Sequence, residues 1–137
     1  IKDSVKKGAK IILGGKRDGT YFEPTIITGA KEGMPVFDEE TFGPAISVTE
    51  FKDDQEAVDL VNSSSFGLGV SIFTEDEKFA LKMVPKFEDG AVFVNELVKS
   101  DPRLPFGGTK ISGYGRELSH HGIKEFTNRK TVYFNKY

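Results

Sequence analysis

The chain contains no cysteine among its 137 residues. That absence excludes a disulfide framework, a thiolate zinc site and any cysteine nucleophile supplied by this polypeptide. Histidine is scarce too: the two present, His120 and His121, are adjacent, so a histidine-rich metal centre is not expected. No apolar run approaches the roughly 20 residues that cross a bilayer. The opening IKDSVKKGAK lacks the apolar stretch of a secretory signal, which disfavours membrane insertion and export and makes a cytoplasmic protein the expectation. A dominant charge sign is also missing. The 19 Lys+Arg are scattered among 21 Asp+Glu, and no basic stripe runs along the chain to neutralise a nucleic-acid backbone. With 37% hydrophobic and 29% charged residues the balance is that of a folded globular chain, which rules out disorder. The length predicts one compact unit.

What is present is glycine and an alternation of strand-like and helix-like segments. Ile1 and Val5 stand at i, i+4 ahead of Gly8, the pattern of a helix closing on a glycine, so the chain reads as starting inside an element of a longer protein. Two β-prone runs, 10–13 and 21–28, are separated by Gly14, Gly15 and Gly19 and read as strands joined by a turn. After a break at 33–35, residues 45–51 read as a strand. Residues 53–62 then read as a helix with Ala57, Val58, Leu60 and Val61 on one face and Asp53 and Glu56 at capping-box spacing. A strand at 70–73 follows, then a helix in which Thr74 and Glu77 repeat the capping spacing ahead of a core stripe of Phe79, Ala80, Met83 and Val84, closed by Pro85 and Gly90. Residues 91–94 are apolar without alternation, as in a strand covered on both faces. This order predicts an α/β fold with a parallel sheet and right-handed crossovers. Ligands in such sheets gather at strand carboxyl ends, so Asn95 is placed to open a functional loop. A short helix over 118–126 and a last β-prone run at 131–134 complete the chain.

Three segments carry candidate chemistry. Glu39-Glu40-Thr41-Phe42-Gly43-Pro44 sets a carboxylate beside an aromatic ring. A carboxylate can accept two hydrogen bonds from neighbouring hydroxyls of a ribose while the ring walls a flat heterocycle; the same residues also suit a solvated acidic turn. Gly107, Gly108, Gly113 and Gly115 match neither phosphate-loop spacing, so a structural glycine-rich crossover is the expected reading. The loop 96–106 holds Ser100, Asp101 and Arg103, where a hydroxyl and a guanidinium could hold a small carboxylate, or simply decorate the surface. The histidine pair reads as ornament at a helix start.

EETFGP at 39–44, NSSSFGLGVSIFT at 62–74, GAVFVN at 90–95 and PFGGTKISGYGRELSHHGIKEFTNRKTV at 105–132, taken in that order and with those gaps, resemble the aldehyde dehydrogenase superfamily. The resemblance implies an open parallel sheet with flanking helices, residues 1–128 forming the C-terminal part of a catalytic domain and 129–137 an oligomerisation-arm strand. It implies NAD or NADP as cofactor, a small-molecule aldehyde as substrate, the remainder of a parent polypeptide as partner, and a homo-oligomer assembled through the C-terminal strand. The family's nucleophilic cysteine and base glutamate lie upstream, so this chain supplies no catalytic residue and no metal ligand, and by itself is expected to be inactive. By position, Glu40 matches the carboxylate that binds the nicotinamide ribose and Phe42 the ring beside the nicotinamide. Asn95 matches the asparagine ahead of the substrate loop, and Phe106 an aromatic of the aldehyde tunnel. Ser100-Asp101-Pro102-Arg103 is similar to succinate-semialdehyde dehydrogenases, which implies that Ser100 holds a distal substrate carboxylate with Arg103 as helper. The contrasting reading is a non-catalytic interaction module that extends a partner's sheet through 131–134.

Overall fold

The structure is a computed structural model and describes residues 1–136. It forms two compact units, Ile1–Ser64 and the residues from Ser65 onward, where length predicts one. The physical reason lies in the ladders, each of which closes inside one unit.

In the first unit, helix α1 (Lys2–Lys6) stops as the sequence predicts, with Gly8 at φ +107 donating its N–H to Val5 O at 3.0 Å. Strand β1 (Lys10–Leu13) is followed by a small hairpin, β2 (Arg17–Asp18) and β3 (Tyr21–Phe22), turning at Gly19, and then by β4 (Thr25–Thr28), which pairs antiparallel with β1. The strand expected over 21–28 is thus two pieces. Pro24, which has no N–H for a ladder, divides them. Helix α2 (Pro35–Asp38) occupies the expected break at 33–35: proline suits a first helical position, and Asp38 Oδ2 accepts Gly33 N–H at 2.8 Å. Strand β5 (Ala45–Val48) pairs in parallel with β4, Ile26 opposite Ile46. Helix α3 (Asp54–Asn62) is capped as predicted. Asp53 accepts the N–H groups of Gln55 and Glu56, and Glu56 reaches back to Lys52 N. Ile27 of β4, 1% exposed, packs with Ala9 and Met34, and Ile1, Val36 and Phe37 close around them. Ser4, fully buried, ties α1 to α2 by accepting Val36 N–H at 3.1 Å.

The second unit begins with β6 (Phe66–Gly67) and β7 (Val70–Ile72), continues through helix α4 (Glu77–Met83) and a single 3-10 turn (Val84–Lys86) to β8 (Val92–Val94), and ends its regular structure with β9 (Thr109–Lys110) and helix α5 (Ser119–Glu125). Strands β7 and β8 are parallel, with α4 as the crossover. The cap of α4 is Asp76, accepting Phe79 N–H at 3.0 Å, while the expected cap Thr74 accepts Asp76 N–H instead. A carboxylate adjacent to the helix is the stronger acceptor for its free N–H groups. Ala80 and Met83 of the predicted stripe are buried.

The architecture is therefore mixed α/β, and the single parallel sheet expected from 45–51, 70–73 and 91–94 is not what these strands build among themselves. The parallel pairs β4–β5 and β7–β8 lie in separate sheets, the first extended antiparallel by β1. The glycine-mediated return from β1 to β4 makes that edge antiparallel, which short connections favour. Residues 131–134 pair with no strand among the described residues.

Candidate active site

The loop that follows β8 is anchored at its first residue. Asn95 adopts φ +55, a left-handed conformation that asparagine tolerates better than other side-chain-bearing residues. Its backbone N–H continues the β7–β8 ladder to Ile72 O at 2.8 Å. Its side-chain amide does the work of another rung, with Oδ1 accepting Thr74 N–H at 2.9 Å and Nδ2 donating to Thr74 O at 2.8 Å. Both polar ends of the amide are therefore committed to backbone, and Asn95 sets the direction in which the loop leaves the carboxyl end of the parallel pair.

Beyond Asn95 the loop is braced by two short-range ion pairs that flank Ser100. Glu96 accepts Leu97 N–H at 3.0 Å and Lys99 Nζ at 2.6 Å. Asp101 makes a tighter knot: Oδ1 accepts both the backbone N–H and Nε of Arg103 at 2.9 Å, and Oδ2 accepts Nη2 at 2.6 Å. Leu104 N–H to Asp101 O at 2.9 Å closes the turn around Pro102. Hydrogen bonds and charge from Arg103 hold the Asp101 carboxyl well below the usual carboxylate range; the Lys99 hydrogen bond lowers the Glu96 carboxyl. Ser100 is exposed, and among the described residues nothing bonds its hydroxyl.

Alongside β8 this loop encloses a cleft of about 400 Å³ lined by Gly90–Val94, Glu96, Lys99, Asp101 and the stretch from Leu104 to Phe106. Phe106 is half-buried and is fixed by reciprocal backbone bonds with Glu117 at 2.9 and 2.8 Å. Ser100 stands between two lining residues, outside the cleft. The cleft-lining loop residues that sequence reading left without a role are Glu96, Lys99 and Asp101. The Asp-Pro-x sequence, which favours a side chain bonding its own backbone two residues on, was the available signal for Asp101.

The floor of this region is made of glycine. A Cβ on Gly90 would lie 1.8 Å from Gly107 O, one on Gly107 2.7 Å from Gly115 O, and one on Gly108 2.6 Å from Ser112 Cβ. Arg116 Nη1 donates to the carbonyls of Gly108 and Gly115 at 2.9 and 2.6 Å. These glycines allow backbone to lie on backbone, which fits the structural crossover expected of them. His120 and His121, ring centroids 4.1 Å apart, are exposed at the start of α5, and among the described residues no group of three metal-binding side chains exists.

Glu40 and Phe42 belong to the first unit, in the irregular stretch between α2 and β5, and so precede the amino end of that strand. The carboxylate is exposed and the Phe42 ring is 92% exposed. An acceptor for two hydroxyls and a bare apolar face are what a nicotinamide ribose and its ring would need, so the chemistry of the two side chains fits that group. Asn95, Ser100, Arg103 and Phe106 belong to the second unit, and of these four Phe106 lines the cleft; Glu40 and Phe42 belong to the first unit.

Comparison with known proteins follows the same lines. The chain is 43% identical over 136 residues to the NAD(P)+ succinate semialdehyde dehydrogenase Sad of Escherichia coli strain K12, a match covering 97% of this chain and 29% of that protein. It is 45% identical to the NADP+ succinate-semialdehyde dehydrogenase 1 of Mycobacterium ulcerans, covering 97% and 30%. Among solved structures, the succinic semialdehyde dehydrogenase of Streptococcus pyogenes in complex with NADP+ superimposes with a TM-score of 0.91 at 37% identity, over 98% of this chain and 30% of that one. The chain thus spans under a third of the length of these relatives. The sequence profile of the aldehyde dehydrogenase family matches residues 1–132, and the chain belongs to that family.

Proposed function

We propose that this chain is the C-terminal part of the catalytic domain of an NAD(P)-dependent aldehyde dehydrogenase that oxidises a short aldehyde bearing a distal carboxylate, of the succinate-semialdehyde kind. The observation that carries the reading is the cleft alongside β8, lined by that strand, by Glu96, Lys99 and Asp101 of the loop that leaves the carboxyl end of the parallel pair, and by Phe106. The names of the relatives support the substrate class. In this reading Phe106 walls the aldehyde's path, Asn95 aims the loop, and Ser100, set between the cleft-lining Lys99 and Asp101, donates a hydrogen bond to a distal carboxylate that reaches the rim of the cleft. Glu40 accepts the ribose hydroxyls and Phe42 covers the nicotinamide. The bound nicotinamide supplies a hydride acceptor. The nucleophilic sulfur must come from elsewhere in the parent polypeptide, because this chain has no cysteine, and the isolated chain is inactive on that account.

The exposed apolar side chains support a larger parent. Ile12 and Leu13 of β1, Ile46 of β5 and Phe126 after α5 are each more than half exposed, and the remainder of the parent would cover them. Val132, Tyr133 and Phe134, also exposed, form the oligomerisation strand in this reading, adding a rung to a second copy. The test is Ser100→Ala in the parent polypeptide. KM for succinate semialdehyde should rise more than KM for an uncharged aldehyde of similar length, with kcat little changed, and equal effects on the two would remove the carboxylate role.

A further inference from the structure

Arg103 is the obvious cation for gripping a substrate carboxylate, yet its surroundings argue otherwise. It is 85% exposed and does not line the cleft, whereas Asp101, 21% exposed, does. Arg103 is spent on Asp101 through three hydrogen bonds, two donated by the guanidinium and one by its own backbone N–H. A carboxylate on the wall of a cleft that admits an anion is an electrostatic obstacle unless its charge is balanced. The neighbouring wall follows the same pattern, with Glu96 balanced by Lys99. Resting on the reading of this cleft as the substrate site, we propose that Arg103 acts through Asp101 as a positioning residue. It neutralises an acid that would repel the substrate's distal carboxylate and locks the turn next to Ser100, without touching substrate itself. Asp101, in turn, is retained because its side chain shapes that turn.

The two possible roles of Arg103 predict opposite outcomes in a double variant. In the parent polypeptide, Arg103→Ala bares the Asp101 charge, so KM for succinate semialdehyde should rise by about threefold or more, the effect of one unscreened charge a few ångströms away in a watery site. KM for an uncharged aldehyde and kcat for both substrates should hold. Adding Asp101→Asn removes the repelling charge and keeps an acceptor for the turn, and should return KM close to the starting value. Arg103→Lys keeps the balancing charge and should retain a low KM. Thermal melting of each variant identifies any that are simply unfolded; Arg103→Gln, which also removes the charge but keeps most of the side chain, then takes the place of Arg103→Ala, alone and with Asp101→Asn. If the double variant stays as poor as Arg103→Ala, Arg103 binds substrate directly and the inference falls. It also falls if Arg103→Ala has no effect, or affects both aldehydes alike. Failure of the underlying reading looks different: Ser100→Ala would then spare the carboxylate-bearing aldehyde, and the parent would not prefer that aldehyde over the uncharged one.

Discussion

Gly90→Ala offers a demanding test of how the cleft is built. The backbone there does not use a left-handed φ, so alanine is conformationally permitted and would by itself stabilise slightly, by about 0.4–1 kcal/mol, by restricting the unfolded chain. Space is the difficulty. The new Cβ would stand 1.8 Å from Gly107 O and 2.8 Å from its carbonyl carbon, against at least 3.4 Å in ordinary contact, and the obstacle is backbone that has no rotamer to change. Moving aside is costly on both sides. Gly90 N–H is bonded to Gly67 O at 3.0 Å, and Gly107 follows directly on Phe106, which is held by Glu117. Overpacking of this severity costs about 3 kcal/mol, with about 1 kcal/mol more if the Gly67 bond is lost, so a net destabilisation of about 3 kcal/mol is expected. Denaturant unfolding of the parent polypeptide measures it. Gly43→Ala is the matched control, since a Cβ there meets nothing within 4 Å and the φ is again permissive. If the two variants fall within about 1 kcal/mol of each other, the proposed backbone-on-backbone packing beneath the cleft is wrong.

Other expectations follow from the same geometry. Asn95→Ala removes both bonds to Thr74 and puts a less tolerant residue at φ +55, whereas Asn95→Gly removes the bonds only; KM should worsen in the order Asn, Gly, Ala, and equal variants would mean the left-handed conformation is immaterial. Glu40→Gln in the parent polypeptide should slow single-turnover hydride transfer and weaken nicotinamide binding, and unchanged rates would count against the ribose contact. The lowered Asp101 pKa gives stability that is present above the unfolded value of about 3.9 and is lost as pH falls through and below it. The stability gap between wild type and Arg103→Ala should accordingly be present at neutral pH and shrink in acid. A gap that persists unchanged at about pH 2 would mean that the ion pair does not link folding to pH.

Much of this arrangement could be read from residue order. Caps written in adjacent side chains, such as Asp53 with Glu56, and stops written in glycine, such as Gly8, appear where the spacing puts them, because they depend on a few neighbouring atoms. Strand partners depend on residues far away. The glycine turn after 10–13 foretells an antiparallel return onto 25–28, but nothing local says that β5 and β7 belong to different sheets. The same divide runs through the site. The carboxylate and ring at 40 and 42 and the hydroxyl at 100 are legible as residue types, but the engagement of Asn95 by Thr74 and of Arg103 by Asp101 is visible only once the chain is folded. Gly90 shows the limit most plainly: its necessity comes from Gly107, seventeen positions away.

The three-stranded sheet of the first unit ends on both sides in strands whose outer hydrogen-bonding groups and greasy side chains lie open, β1 through Ile12 and Leu13 and β5 through Ile46. Such borders act as templates, recruiting whatever extended peptide drifts by. Produced on its own, the polypeptide would be prone to cluster and precipitate. In the proposed reading the rest of the parent polypeptide covers these borders, and co-production with it is the practical route to a well-behaved sample.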